Sequence, residues 1–242
     1  MPLPDIQTFS SPADLATAAA NAWLEELAER PSSAPPYSAA LSGGRITKAF
    51  FQAIVESAAS STAPIDRVHF FWADERCVPP EDPESNFLMA DELLFQPLGI
   101  ASECIHRIPG ELPPEAAAAK ACDDLAGFRE LKGSGLPAFD MVFLGMGEDG
   151  HVASLFPGES KETINNPALY RPVVAVKPPP NRVTLGYEAI IAAKSVTALV
   201  SGAGKKEALR ESLPSKGMTP MAKVIQGRDS IRILTDVEIE TD

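Results

Sequence analysis

The chain has 242 residues, of which 45% are hydrophobic and 22% charged, and its formal net charge is −12. This composition is typical of a globular protein, and the length suffices for one large α/β domain or two small ones. The negative charge argues against a nucleic-acid-binding protein, which needs a basic face, and against docking on anionic membranes. An anionic ligand would therefore require cations gathered locally around it.

Cysteine content and hydropathy bear on the compartment. The cysteines are odd in number and form no Cys-x-x-Cys pair, which indicates free thiols in a reducing compartment; they are Cys77, Cys104 and Cys122. The first residues lack the basic start and apolar stretch of a signal peptide. No run reaches the roughly 18 apolar residues of a membrane span, so we expect a cytoplasmic protein. We expect no metal site, because metal-ligand spacing is absent from His69, His106 and His151.

Segments with strand patterns alternate with segments with helix patterns, which is typical of a mainly parallel sheet. In the first part of the chain, Ser11 and Pro12 begin a helix whose apolar residues recur at helical spacing. His69 lies inside a strand, and we interpret it as a packed core histidine. The other elements predicted there are strands at 37–41 and 68–72, a helix around Phe50, a helix from Ser85 through Leu94, and an Ala-rich helix at 114–131.

The later part of the chain continues the alternation. Proline clusters mark stiff connections, but none of them separates halves of different composition. We therefore predict one domain, residues 1–242, built on an α/β sheet. The elements predicted in this part are strands at 139–144, 173–176, 183–185, 196–200 and 231–234, and a helix at about 205–213.

The most informative segment is 139–158, with the sequence FDMVFLGMGEDGHVASLFPG. Its first six residues are apolar except for Asp140, and this run is long enough for a buried strand and too short for a helix. The glycines that follow allow a tight turn and the close approach of a ligand. Glu148, Asp149 and His151 then stand just past the carboxyl end of the strand, where open α/β sheets bind their ligands. This arrangement predicts an active site; the alternative is an ordinary glycine-rich turn with a solvated histidine.

Two further glycine turns connect a strand to a helix. They are Ser42-Gly43-Gly44-Arg45 and Gly202-Ala203-Gly204-Lys205. Backbone N–H groups in such turns, together with the helix N-terminus, favour an anion such as phosphate. The first turn lacks the spacing of a P-loop and its trailing lysine, so a nucleoside triphosphate is not indicated.

Charged residues also follow the strand at 68–72. Three consecutive charges, as in Asp74-Glu75-Arg76, usually mark a solvated turn. Here the preceding strand and the segment ESNF at 84–87 place polar groups at the same sheet edge as the Asp-Gly-His loop. We interpret the cations beside the predicted strand ends as the binding site of a compact anion; they are Arg45, Arg76, Arg182 and Lys205.

These motifs carry a resemblance. The chain contains, in order, LSGG at 41–44, WADERCVP with ESNF at 72–87, GMGEDGHVASLFPG at 145–158, PPPNRVTL at 178–185 and SGAGKKE at 201–207. Over nearly its whole length it resembles the 6-phosphogluconolactonases. The resemblance implies a Rossmann-like α/β fold of the glucosamine-6-phosphate deaminase type, a mainly parallel sheet with helices on both faces. It also implies a hydrolase of the oxidative pentose phosphate pathway, which converts 6-phospho-D-glucono-1,5-lactone to 6-phospho-D-gluconate.

The implied reaction uses water and requires no metal or organic cofactor. An unperturbed imidazole has a pKa of about 6.5, so His151 suits the role of the general base. Asp149 or Asp74 would hold the ring tautomer and stabilise the imidazolium. Arg182 or loop N–H groups would stabilise the oxyanion.

The phosphate would be held by Arg76, Lys205 and the turn formed by Ser42, Gly43, Gly44 and Arg45. After LSGG the family usually has Ser-Thr-Pro, whereas this chain has Arg45-Ile46-Thr47. We therefore expect a charged contact from Arg45 to replace a hydroxyl contact. The alternative is that Arg45 points to solvent while backbone N–H groups bind the phosphate.

Two other functions are compatible with a sugar-phosphate ligand. Isomerases and deaminases of this fold carry a glutamate five residues after the histidine, where this chain has Phe156, and an apolar ring cannot move protons. A non-catalytic sugar-phosphate sensor in a transcription regulator would need a helix-turn-helix segment, for which the chain has no room. We expect a monomer whose partner is a small phosphorylated sugar lactone; sugar epimer and lactone ring size stay open.

Overall fold

The computed structural model describes residues 4–133 and 138–239, and its strands form two sheets. The strands are β1 (Asp5–Thr8), β2 (Tyr37–Leu41), β3 (Val68–Trp72), β4 (Asp74–Arg76), β5 (Met141–Gly145), β6 (Tyr170–Val174), β7 (Asn181–Leu185), β8 (Ser195–Val200) and β9 (Arg232–Thr235). A six-stranded sheet has the order β1-β9-β8-β5-β2-β3, and a three-stranded sheet has the order β4-β7-β6. All neighbours in the larger sheet are parallel. The predicted mainly parallel sheet is therefore confirmed.

Helices connect these strands. They are α1 (Pro12–Ala28), α2 (Arg45–Ala58), α3 (Asn86–Ala90), α4 (Gln96–Leu98), α5 (Pro114–Lys132), α6 (Lys161–Ile164), α7 (Tyr187–Ile191), α8 (Lys206–Ser212) and α9 (Pro220–Gln226). A π-helical turn, Asp91–Phe95, joins α3 to α4. Within the described ranges, each helix is too short or too polar to cross a membrane.

The first helix forms as its sequence predicts. The Ser11 side chain accepts a hydrogen bond from the Asp14 N–H at 3.1 Å, which satisfies one free donor of the first turn. The apolar stripe of α1 is buried, and Trp23 packs edge-on against Phe143 of β5, with ring centroids 5.2 Å apart. All five residues of β2 are buried. Burial of successive residues means that both faces of the central sheet are covered.

The smaller, antiparallel sheet was not predicted. Asp74–Arg76 was interpreted as a turn, but it forms β4, which pairs with β7 and places Arg76 opposite Arg182. The strand predicted at 173–176 lies instead at Tyr170–Val174, and Val176 is fully exposed. Both predictions were wrong because these strands are stabilised by pairing with partners far away in the chain, and their own patterns are short.

Other differences concern the ends of elements. The first strand, Asp5–Thr8, was missed because it is an edge strand of mostly exposed residues. The fifth strand begins at Met141, two residues after the predicted start. His69 is only half-buried rather than a core residue, and its Nδ1 lies 2.9 Å from Nε2 of His106. The His69 imidazole therefore has a polar partner and is not enclosed by apolar residues alone.

The strand order fixes the position of a binding site. From β2 the chain moves outward to β3, and it then returns to β5 on the other side of β2 and continues to β8 and β9. The reversal between β2 and β5 is a topological switch point, where open α/β sheets form a crevice at the carboxyl ends of the strands. The three glycine-containing loops that follow β2, β5 and β8 meet at this edge.

Candidate active site

A cavity of about 540 Å³ lies at this edge of the central sheet. It is bounded by the loops after β2, β5 and β8 and by the antiparallel sheet. Most of the predicted site residues line this cavity, and Glu148 and Asp149 are the exceptions. Those that line it are Ser42, Gly43, Gly44, Arg45, Asp74, Arg76, His151, Arg182 and Lys205. Segments up to about 160 residues apart in the chain thus form one site.

The loop after β5 is folded tightly around His151. The Gly147 N–H donates to the His151 carbonyl at 2.8 Å, and the Gly150 N–H donates to the Gly147 carbonyl at 3.1 Å. A Cβ atom on Gly147 would lie only 2.0 Å from Nδ1 of His151. Only glycine at 147 therefore leaves room for the imidazole in this position.

Asp149 orients the imidazole of His151. Its Oδ1 lies 2.5 Å from Nδ1 of His151 and accepts the backbone N–H of the same residue at 3.2 Å. Burial acts to raise the pKa of Asp149, but the hydrogen bond and the charge of His151 outweigh it, so the pKa lies below the usual aspartate value. An ionised Asp149 accepts the Nδ1 proton, which leaves Nε2 as the basic nitrogen. No hydrogen bond to Nε2 is formed by the residues that the structure describes.

Asp74, the other carboxylate considered for this role, has a different partner. It is buried, and its Oδ2 accepts the Ser154 hydroxyl at 2.6 Å. The Ser154 N–H in turn donates to Thr184 of β7 at 3.1 Å. Asp74 lines the cavity, but its hydrogen bond anchors the loop after β5 to the antiparallel sheet.

The turn after β2 is held by side chains on both sides. The Ser42 hydroxyl donates to the Phe143 carbonyl of β5 at 2.8 Å, so it ties two strands together. A Cβ on Gly43 would lie 2.0 Å from Oδ1 of Asn86, which means that this glycine admits the amide of Asn86 into the cavity wall. Gly44 has a φ of 110°, and the exposed Arg45 begins α2 directly after it.

The cations of the site form two groups. Arg182 lies among Arg76, Asp74 and Glu84, and burial first, with Arg76 adding to it, lowers its pKa. Lys205 lies among Glu148, Arg45 and other charges, and burial again is the main cause of its lowered pKa. A cation that is partly buried and lies beside another cation is stabilised by an anion, so both groups are suited to contact a negatively charged ligand atom.

The Arg76–Arg182 group is fixed to the backbone. Arg76 donates to the Glu84 carbonyl at 2.7 Å, while its buried Nε has no partner in residues 4–133 and 138–239. Arg182 donates to the carbonyls of Pro179 and Lys177 at 3.0 and 3.3 Å. Arg76 also forms an ion pair with the partly exposed Glu84 carboxylate at 3.5 Å. These contacts hold both guanidinium groups at the cavity wall.

Glu75 and Asn86 were not predicted as site residues, but both shape the cavity wall. Glu75 is buried and accepts the N–H groups of Arg76, Asn86 and Phe87 at 2.7 to 2.8 Å. Burial raises its pKa to about 7, although these donors act in the opposite direction. The Glu75 carboxylate thus fastens the ESNF segment to β4 and sets the position of Asn86, which lines the cavity. The available signal was the proximity of ESNF to the Asp-Glu-Arg motif.

Comparison with known proteins shows the family to which the chain belongs. The family model described as glucosamine-6-phosphate isomerases/6-phosphogluconolactonase matches residues 10–233. The 6-phosphogluconolactonase of Haemophilus influenzae is 35% identical over 202 residues, covering 81% of this chain and 82% of that protein. The structure of 6-phosphogluconolactonase from Trypanosoma cruzi has a TM-score of 0.81 at 27% identity, covering 97% and 96% of the two chains.

The fold extends to a more distant structure. A monomeric glucosamine-6-phosphate deaminase has a TM-score of 0.80 at 17% identity, covering 96% of each chain. At that identity the likeness concerns the fold alone, which confirms the predicted deaminase-like architecture. The family-model match and the Haemophilus relative, by contrast, are similarities of sequence over most of the chain. The chain therefore belongs to the glucosamine-6-phosphate isomerase/6-phosphogluconolactonase family.

Proposed function

We propose that this chain hydrolyses 6-phospho-D-glucono-1,5-lactone to 6-phospho-D-gluconate, as part of the oxidative pentose phosphate pathway. The observation that carries the proposal is the His151–Asp149 pair in a cavity lined with cations. Asp149 engages Nδ1 and leaves Nε2 available as a base for a water molecule. The lactonase names of the relatives support the same reaction.

In this mechanism, Nε2 of His151 removes a proton from water as the water oxygen attacks the lactone carbonyl carbon. A tetrahedral oxyanion forms, and the bond from the carbonyl carbon to the ring oxygen then breaks. The imidazolium returns its proton to the departing ring oxygen, which gives the hydroxyl of the open-chain acid, and the acid loses its proton to bulk water. Asp149 stabilises the imidazolium in between, and no cofactor takes part.

The two groups of cations support an assignment of the two ends of the substrate. Phe156 contacts both the His151 ring and the Arg182 guanidinium, so Arg182 and its neighbour Arg76 are assigned to the carbonyl oxygen and the developing oxyanion. Arg45, Lys205 and the N–H groups of the Ser42–Gly44 turn are assigned to the phosphate. The role proposed for Arg76 therefore differs from the sequence-based prediction: it contacts the reacting end of the substrate and not the phosphate.

The test is a pH-stat assay with freshly prepared lactone. Its spontaneous hydrolysis supplies the baseline, and the wild-type protein should accelerate acid release well above it. Binding of 6-phosphogluconate without turnover would instead identify a sugar-phosphate sensor. Release of ammonia from glucosamine 6-phosphate, or aldose–ketose interconversion, at a comparable rate would identify the isomerase and deaminase branch of the family.

Three further properties are proposed with the function. Residues 1–242 are proposed to form one domain, which is supported by a hydrophobic cluster that includes residues of both sheets. The free thiols of Cys77, Cys104 and Cys122 support a reducing, cytoplasmic compartment. A monomeric state is proposed as well, and light scattering of the purified protein would test it.

A further inference from the structure

We propose that Phe156 is a positioning residue, whose ring holds the imidazole of His151 and the guanidinium of Arg182 in their reactive places. This inference rests on the proposed lactonase function and assigns a task to the position where related isomerases carry a glutamate. The task is to fix the base and the oxyanion-stabilising cation relative to each other.

The contacts of the ring carry the proposal. The centroids of the Phe156 and His151 rings lie 5.0 Å apart at an interplanar angle of 46°. The guanidinium carbon of Arg182 lies 5.8 Å from the Phe156 centroid, within the range of a cation–π contact. Phe156 is only half-buried, so these contacts are not a by-product of core packing. One side chain thus touches both functional groups.

The backbone delivers this ring with little freedom. Ala153 has a φ of 49°, in the left-handed region that residues other than glycine rarely adopt, and the Leu155 N–H donates to the Val152 carbonyl at 2.9 Å to close the turn. The Leu155 side chain is fully buried. The Ser154 hydroxyl donates to Asp74 at 2.6 Å. The residue after this anchored turn is Phe156, which therefore has a defined position beside His151 and Arg182.

The chemistry of an aromatic ring suits this position. Asp149 contacts only one nitrogen of the His151 imidazole, so packing against the Phe156 ring further restricts rotation of the imidazole. The electron-rich face of the same phenyl ring attracts the Arg182 guanidinium. A carboxylate at 156 would act differently, because it would pair with Arg182 and favour the protonated imidazole. The phenyl ring orders both groups while leaving the charge of Arg182 and the basicity of the imidazole for the reaction.

The experiment compares the same substitution at two phenylalanines. Phe156→Leu should lower kcat by about tenfold, equivalent to about 1.4 kcal/mol, with a smaller change in KM, because binding contacts lie elsewhere. The matched control is Phe128→Leu: Phe128 of α5 also contacts an imidazole, with its ring centroid 4.7 Å from that of His69, and it is not among the residues that line the cavity. Its kcat should stay within about twofold of wild type, as for substitutions away from the site.

Rescue distinguishes positioning from simple packing. Phe156→Tyr keeps the ring and should retain wild-type kcat within about threefold, whereas Phe156→Met, apolar but without a ring, should repeat the leucine result. The methionine variant also serves if the leucine variant does not fold. Equal kcat in wild type, Phe156→Leu and Phe156→Met would overturn the positioning role. A wild-type protein that does not hydrolyse the lactone would overturn the proposed function instead, so the two failures are distinguishable.

Discussion

His151 and His106 each face an aspartate through Nδ1, but the surroundings of their Nε2 atoms differ. Nδ1 of His151 lies 2.5 Å from Asp149, and its ring lines the cavity. Nδ1 of His106 lies 2.9 Å from Asp124, while its Nε2 lies 2.9 Å from Nδ1 of His69. The His106 ring also stacks on Phe71, with centroids 4.3 Å apart. An imidazole with both nitrogens engaged by protein stabilises the fold, whereas one with a nitrogen facing a cavity is available for proton transfer.

The largest expected effect is a loss of kcat that distinguishes His151 from His106. His151→Ala should lower kcat by about two to four orders of magnitude, the usual scale for loss of a general base. Binding of 6-phosphogluconate, measured by calorimetry, should persist because the phosphate contacts lie elsewhere. His106→Ala is the matched control and should keep its kcat. Near-normal turnover by His151→Ala would remove this residue from the mechanism.

The next effect concerns the aspartates. Asp149→Ala should lower kcat by about one to two orders of magnitude, because the imidazole loses its orientation and the counter-charge of its protonated form. Asp124→Ala removes the corresponding partner of His106 and should leave kcat unchanged. Steady-state kinetics of both variants makes the comparison. If Asp149→Ala kept the kcat of the wild type, the Asp149 contact would serve only the folding of its loop.

Stability should show the reverse order. His106→Ala removes a stacked ring and leaves His69 without its partner, so the free energy of unfolding should fall by about 1–3 kcal/mol. His151→Ala, at a partly exposed loop position, should change it by less than about 1 kcal/mol. Urea denaturation of both variants provides the values. A larger loss for His151→Ala would contradict the division into a stabilising and a functional pair.

Arg45 sharpens the comparison, because it can bind substrate but stays protonated and cannot act as a base. Arg45→Ser should raise KM by roughly tenfold, for about 1.4 kcal/mol of lost phosphate binding, with less effect on kcat. The penalty should shrink for a lactone without the 6-phosphate. Lys48→Ser, an exposed cation one turn further along α2, is the control. If KM is unchanged, Arg45 points to solvent and the backbone N–H groups bind the phosphate.

The smallest expected effect is a pH dependence of stability from His69. Burial, followed by the charge of His106, lowers the pKa of His69, while Asp124 acts in the opposite direction. The unfolded chain therefore binds the His69 proton more readily than the folded one. The free energy of unfolding should fall as the pH drops below about 6.5, the unperturbed value for histidine.

His69→Gln provides the test of this linkage. The difference in unfolding free energy between wild type and variant should decline on acidification, by less than about 1 kcal/mol. Urea titrations at several pH values between about 5 and 8 span the window. A difference that stays constant over this range would show that His69 does not titrate differently in the two states.

The sequence by itself determined the local elements and the family, and it predicted the candidate site. The strands β2 and β3 have their predicted bounds, and the Ser11 cap and apolar stripe of α1 are those that the pattern indicates. Such features depend on capping and on periodicity within a few residues, so a sequence displays them directly. Parallel strands place their carboxyl ends at one edge, which is why the loops after β2, β5 and β8 meet at one cavity.

Only the tertiary structure decided which of these residues touch. The antiparallel pairing of β4 with β7 brings Arg76 opposite Arg182, and the anchored turn at 152–155 sets Phe156 between Arg182 and His151. Tertiary packing also makes Asp149, and not Asp74, the partner of His151, and it places His69 against His106. These contacts join residues whose spacing in the chain carries no periodic signal, because their distances depend on how loops and sheets pack.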